Sequence, residues 1–177
     1  MIQPDPASVA AEVLVSAARS AFGNLAGPPV DVDAIAEELC GLRVEGADLA
    51  ADAVSGLLLA GEQRLLFDQR EAARSPGRRR FTIAHELGHW YLHHLAGERA
   101  TQRCGPDEIG LAVTSSTRHE REANRFAGAL LMPEPPLRAE AARLRCNVGV
   151  LARKFAVSEP AMRVRLTQLD LLPEYMR

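Results

Sequence analysis

The chain has 177 residues, enough for one domain or for one domain with a small appendage. Apolar residues make up 47%, and 21 basic side chains face 23 acidic ones for a net charge of −2, which excludes a coreless chain and a global pull toward nucleic acid or anionic membrane. The three widely spaced cysteines, Cys40, Cys104 and Cys146, suggest neither a disulfide framework nor a cysteine zinc site. With no signal-peptide pattern and no apolar run near the ~20 residues of a membrane span, a cytoplasmic protein with no membrane partner is expected.

In chain order, Ala7 to Phe22 carries helical periodicity through Val9, Val13, Leu14 and Ala17, and Asn24, Gly27 and Pro28–Pro29 end it. Asp31 or Asp33 can cap a second helix with Ile35, Ala36 and Leu39, closed by Gly41. Leu42–Glu45, Val54–Ala60 and Arg64–Asp68 read as a small antiparallel sheet, with Gly61-Glu62 as the turn of a hairpin. Gln69 to Arg80 is polar and basic with a break at Ser75-Pro76-Gly77, and its Arg78-Arg79-Arg80 run reads as a solvated loop. Phe81 to Leu95 is a helix, Gly97 to Ser116 a loop of mixed charge, and Thr117 to Met132 a second helix stopped by Pro133, Pro135 and Pro136. Helical pattern continues from Leu137 to Leu169. The fold class expected is α+β: a mostly helical core over residues 1–136 with the small sheet, and a C-terminal helical, helix-turn-helix-like subdomain over 137–177 packed on it.

The segment His85-Glu86-Leu87-Gly88-His89 carries the chemistry. Two histidines four apart share one helix face, so both imidazoles can converge on one metal ion, and Glu86 between them can reach a water on it. This is the H-E-x-x-H arrangement of zinc hydrolases, which pairs two ligands with a general base. Phe81, Ile83, Ala84, Leu87, Trp90 and Leu92 make the helix largely buried, and buried histidines beside a buried glutamate need partners. Gly88 costs about 1 kcal/mol relative to alanine inside a helix, which points to a helix pressed closely against a strand. His93 and His94 follow, and His93 reads as a residue that supports a ligand from behind or simply packs.

A third ligand is expected from the later helix, where Glu120 and Glu122 compete. In glutamate-type zinc peptidases a small residue follows the ligand by three positions, and a polar group that orients a zinc histidine follows by four. Glu120, Ala123 and Asn124 have that spacing. Glu120 is therefore favoured as ligand, with Asn124 accepting an N–H from His85 or His89. Thr117-x-x-Glu120 is equally a capping box, in which Glu120 only reaches back to the helix start. With Zn2+ in place, Glu86 would act as the base of peptide-bond hydrolysis, and an edge strand, Arg64–Asp68 or Val54–Ala60, could align an extended peptide.

The run Arg80 to His89, then Glu120-x-Glu122-Ala123-Asn124-x-Phe126-Ala127, then Leu130-Leu131-Met132-Pro133, resembles the ImmA/IrrE family of zinc metallopeptidases. Gly56-Leu57-Leu58-Leu59 upstream and Leu151-Ala152-x-x-Phe155-x-Val157-Ser158 downstream extend the likeness over residues 30–170. The resemblance implies a gluzincin-like core, with zinc on two histidines and a glutamate. It also implies cleavage of a helix-turn-helix repressor or an antitoxin-like partner. Many members carry an N-terminal DNA-binding domain, for which the stretch before the matched region is too short. The competing reading is a DNA- or partner-binding regulator that keeps the fold without proteolysis. Val148–Ala156 and Glu159–Leu169 have helix-turn-helix spacing, with Arg163 and Arg165 able to meet phosphate. DNA binding is not favoured, because the basic residues are not massed on one face.

Overall fold

The computed structural model describes residues 5–23, 28–49, 54–95, 102–104 and 118–172. Among these are eight helices and a four-stranded sheet, an α+β fold.

Helix α1 (Pro6–Phe22) starts on Asp5, which accepts from the Ser8 N–H at 3.1 Å, and ends on Gly23 at φ 64. Asp31 caps α2 (Val32–Ala34), which runs on through a wider π-type turn at Ile35–Leu39. Strand β1 (Arg43–Ala47) follows, then β2 (Gly56–Leu59), a 3-10 turn at Ala60–Glu62 with Gln63 left-handed, and β3 (Arg64–Asp68). Strand β4 (Gln102–Cys104) lies inside the stretch expected to be loop throughout.

The sheet order is β1-β3-β2-β4. The β2–β3 hairpin is antiparallel as expected, and so is β2–β4, but β1 runs parallel to β3, with Arg43 opposite Arg64 and Ala47 opposite Asp68. The sheet is therefore mixed rather than antiparallel. Strand β3 is internal, which explains why Leu65 and Leu66, on opposite faces, are both buried. Neither strand expected to offer a free edge does so, since β3 lies between β1 and β2, and β2 carries β4 on its outer side.

Helix α3 (Gln69–Arg74) is capped by Asp68, which also accepts from the Leu49 N–H at 3.0 Å. Ser75 caps α4 (Pro76–His89), so the helix begins five residues before Phe81. Serine followed by proline starts this helix rather than breaking the chain, because proline's fixed φ and missing N–H suit the first helical position. The Arg78–Arg80 run thus lies in a helix and is tied down. Arg79 forms a bidentate pair with Asp33 at 2.6 and 2.9 Å and stacks on Phe67, Arg78 meets Glu71 at 3.2 Å, and Arg80 donates to the Val30 carbonyl at 2.7 Å. The helix continues through a π-type turn at Trp90–His94.

Helix α4 packs between the sheet and α5 (Arg118–Leu131), and α1 lies against α5. Then come α6 (Glu134–Arg143), α7 (Val148–Phe155) and α8 (Glu159–Gln168), the last two joined through a left-handed Ala156. One apolar cluster runs from Ala7 and Leu14 through Leu65, Ile83, Leu87 and Phe126 to Phe155, Met162 and Leu166. No described helix is long and apolar enough to cross a membrane.

Candidate metal centre

The α4 and α5 helices face one another at unusually short range. A Cβ built on Gly88 would lie 3.0 Å from the Ala123 Cα and 3.2 Å from its carbonyl oxygen. Gly88 is therefore the close-approach position that the sequence suggests, but the surface it meets is a helix and not a strand. The approach brings the start of α5 over the two histidines.

His85, His89 and Glu120 converge there, and all three are buried. Their donor atoms form a near-regular triangle: His85 Nε2 to His89 Nε2 is 3.1 Å, His85 Nε2 to Glu120 Oε2 is 3.1 Å, and His89 Nε2 to Glu120 Oε1 is 3.2 Å. Two ligand atoms on one tetrahedral zinc, each about 2.1 Å from it, stand about 3.4 Å apart, so the group fits such an ion. The donor chemistry fits as well, since two imidazoles and one carboxylate leave a fourth position open.

Asn124, one turn beyond Glu120, accepts from the His85 Nδ1–H at 3.0 Å. That bond holds a proton on Nδ1, so Nε2 is the nitrogen turned toward the group. Glu122 points elsewhere. It pairs with Arg118 at 2.7 Å and approaches His93 at 3.8 Å. The geometry thus brings Glu120, the glutamate that the spacing favours, to the two histidines and leaves Glu122 outside their group. Thr117, the residue that would complete a capping box with Glu120, lies outside the described residues.

The electrostatics of the group follow from its packing. Burial pushes the Glu120 carboxyl up, but hydrogen bonds from His85 and His89 outweigh it and hold it far below the usual carboxylate range. Burial pushes His85 down, and the bond to Glu120 with the nearby charge of Glu86 reverses this, so His85 lies above its ordinary value. His89 lies below it, through burial and the neighbouring His85.

Glu86 is fully buried on the same helix. It lies under strand β2, where a Cβ on Gly56 would come within 2.6 Å of Glu86 Oε1 and of Thr82 Cγ2. Gly56 therefore limits where Glu86 can sit, a role that its place at the head of the Gly56–Leu59 strand does not itself declare. The signal was a glycine at the head of an otherwise apolar strand, which marks a close approach. A second finding beyond the motif is a ring cluster beside the site. His93, 5% exposed, packs on His89 at 5.6 Å and on His119 at 4.1 Å between centroids. His119 is half-buried there.

Fold and site together define a zincin-like protein with a His-His-Glu group able to bind a metal ion. A model of the Peptidase_M78 family, described as the IrrE N-terminal-like domain, matches residues 41–167, and the chain belongs to that family. Among solved structures it is similar to a chain described as "Mycobacterium tuberculosis transcriptional regulator", 22% identical with a TM-score of 0.63, over 93% of this chain and 47% of that one. That likeness concerns the fold, and this chain spans about half of that protein's length. No curated protein matches the sequence.

Proposed function

We propose that this chain is a zinc-dependent endopeptidase that cuts a regulatory protein, such as a helix-turn-helix repressor or an antitoxin. The observation that carries this reading is a buried glutamate, Glu86, next in sequence to one member of a buried His-His-Glu group that could hold a metal ion. A purely structural metal site is closed by four protein ligands and has no use for an adjacent base.

Zinc, held by His85, His89 and Glu120, would supply a Lewis acid and a water acidified toward neutrality. The remaining work falls to the chain. Asn124 keeps the His85 proton on Nδ1, so that Nε2 stays a lone-pair donor. Glu86 takes the proton from the attacking water and passes it to the leaving amine. Helix α4 and strand β2 exclude bulk water from the Glu86 carboxylate, which raises the worth of each charge there.

The competing reading, a regulator that binds DNA or a partner without cutting, has helix-turn-helix spacing in α7 and α8 behind it. Of its two phosphate-facing candidates, Arg163 is exposed, but Arg165 is 3% exposed and donates from Nε to the Met132 carbonyl at 3.2 Å. Arg165 is thus part of the interior, and the basic face on α8 shrinks to one residue.

The test is zinc-loaded protein incubated with a repressor or antitoxin encoded beside it, in wild type and Glu86→Gln. Discrete cleavage that disappears in the variant, with zinc content unchanged, is expected. Equal cleavage by the variant would remove Glu86 from the mechanism. Salt-dependent retention on DNA with no cleavage of any partner would favour the regulator.

A further inference from the structure

A cavity of about 610 Å³ lies between α1, α5, α6 and α8, lined by residues of the N-terminal and C-terminal helices and by none of the His85–His89–Glu120 group. Its size falls in the range of small-molecule sites. Three arginines and four carboxylates line it: Arg125, Arg138 and Arg165 against Asp5, Glu12, Glu134 and Asp170.

Most of these charges are matched. Arg125 pairs with Asp5 at 3.1 Å, and Arg138 pairs with Glu134 at 2.6 Å while donating to the Leu169 carbonyl at 3.2 Å. Asp170 is not without a partner either, and two groups, Arg165 and Glu12, are left over. Arg165 is buried to 3% exposure and uses Nε on the Met132 carbonyl, but its Nη2 has no hydrogen-bond partner. A buried guanidinium with an unused donor is costly unless something completes it. Glu12, half-buried on α1, lines the same cavity and has no hydrogen bond or ion pair to a described residue. Its charge is nonetheless felt at Arg165, together with those of Glu134 and Asp5.

The two leftovers have opposite sign, which selects the ligand. A planar carboxylate matches the guanidinium fork. A dianion such as phosphate would meet a wall in which acids outnumber arginines four to three. A cationic group on the same molecule would find Glu12. We propose that this cavity binds a small zwitterion, a free amino acid or a short peptide, with its carboxylate on Arg165 and its ammonium on Glu12. Val9 and Leu169 add apolar wall for a side chain. The site does not depend on the peptidase reading, since no metal-group residue lines it.

The experiment is calorimetric titration of the zinc-loaded protein with L-leucine and with the dipeptide Gly-Leu, the two arms separating a free amino acid from a peptide. N-acetyl-leucine, which lacks the ammonium, leucine amide, which lacks the carboxylate, and inorganic phosphate serve as comparisons. Saturable binding of at least one zwitterion is expected, weakened at least tenfold in each blocked analogue and in Glu12→Gln. Arg165→Met should abolish it, and because Arg165 is interior, the Glu12→Gln variant and the analogue series on wild type stand independently of whether that protein folds. Zinc content should be unchanged in Glu12→Gln. Absence of binding by both zwitterions, equal binding of N-acetyl-leucine, or preference for phosphate would overturn the proposal.

Discussion

His85 Nδ1 donates to Asn124 Oδ1 at 3.0 Å, across the interface between two helices 39 positions apart in sequence. This bond fixes both the tautomer and the ring plane of one member of the metal-binding group. Removing such a partner commonly lowers metal affinity 10- to 100-fold. Asn124→Ala is therefore expected to weaken zinc binding by about 30-fold, read by competition with a chelating dye. Asn124→Asp, which keeps an acceptor at the same place, should recover most of the loss. An alanine variant with wild-type affinity would show that the bond does not orient His85.

Gly88 and Ala123 define the spacing on which that bond depends. Alanine at position 88 would gain about 1 kcal/mol of helix propensity. It would also force a Cβ to 3.0 Å from the Ala123 Cα, a backbone atom that cannot swing away. Overpacking of this kind costs about 1–3 kcal/mol. Gly88→Ala should therefore be destabilised on balance by about 1 kcal/mol, a fall of about 3 °C in Tm. Zinc should also raise its Tm by less than it raises that of the wild type, because Glu120 is carried away from the histidines. Thermal melts with and without the metal check both.

Asp68 offers a pH test of the fold. It caps α3 through the Glu71 N–H at 2.8 Å and ties down the loop before β2 through the Leu49 N–H at 3.0 Å. Burial pushes its carboxyl up, but these backbone donors outweigh it and hold it below the usual carboxylate range. Its folded pKa is thus below its unfolded one, near 3.9. The stability it contributes is complete above that unfolded value and is lost as pH falls through the folded one. Asp68→Ala should cost about 2 kcal/mol at neutral pH. The difference should shrink as denaturation midpoints are followed below pH 4, and a constant difference would assign the stabilisation to something other than the ionised carboxylate.

What the sequence made legible was local. Periodicity located α1 and α5, and the i, i+4 spacing of His85 and His89 and of Glu120 and Asn124 named side chains that the structure brings together. What escaped was set by contacts distant in sequence. The pairing of β1 with β3 depends on which neighbour a strand finds after the chain turns away, and no residue of Arg43–Ala47 encodes it. Ser75-Pro76 looks the same whether it ends one segment or begins a helix, and only the bonds beyond it decide. Arg165 has the composition of a surface residue and is buried because α8 packs against the end of α5. The glycines were the intermediate case. Gly88 signalled a close neighbour without saying which element it was.

Gly56 allows the base to be tested apart from the metal group. Strand β2 passes over Glu86 so closely that a methyl group at residue 56 would fall 2.6 Å from Glu86 Oε1. Either the strand lifts or the carboxylate turns away. His85, His89 and Glu120 lie on α4 and α5, and the three atoms nearest to this methyl belong to Glu86 and Thr82 instead. Gly56→Ala is therefore expected to bind zinc with affinity within about threefold of wild type, while losing at least tenfold in the rate of peptide cleavage. A base that must sit within about 3 Å of the proton it takes loses rate steeply when displaced by 1 Å. Zinc titration alongside a single-turnover cleavage assay separates the two effects. Loss of zinc together with activity would place the strand's role in building the whole site, and full activity in Gly56→Ala would show that the position of Glu86 under β2 is immaterial to the reaction.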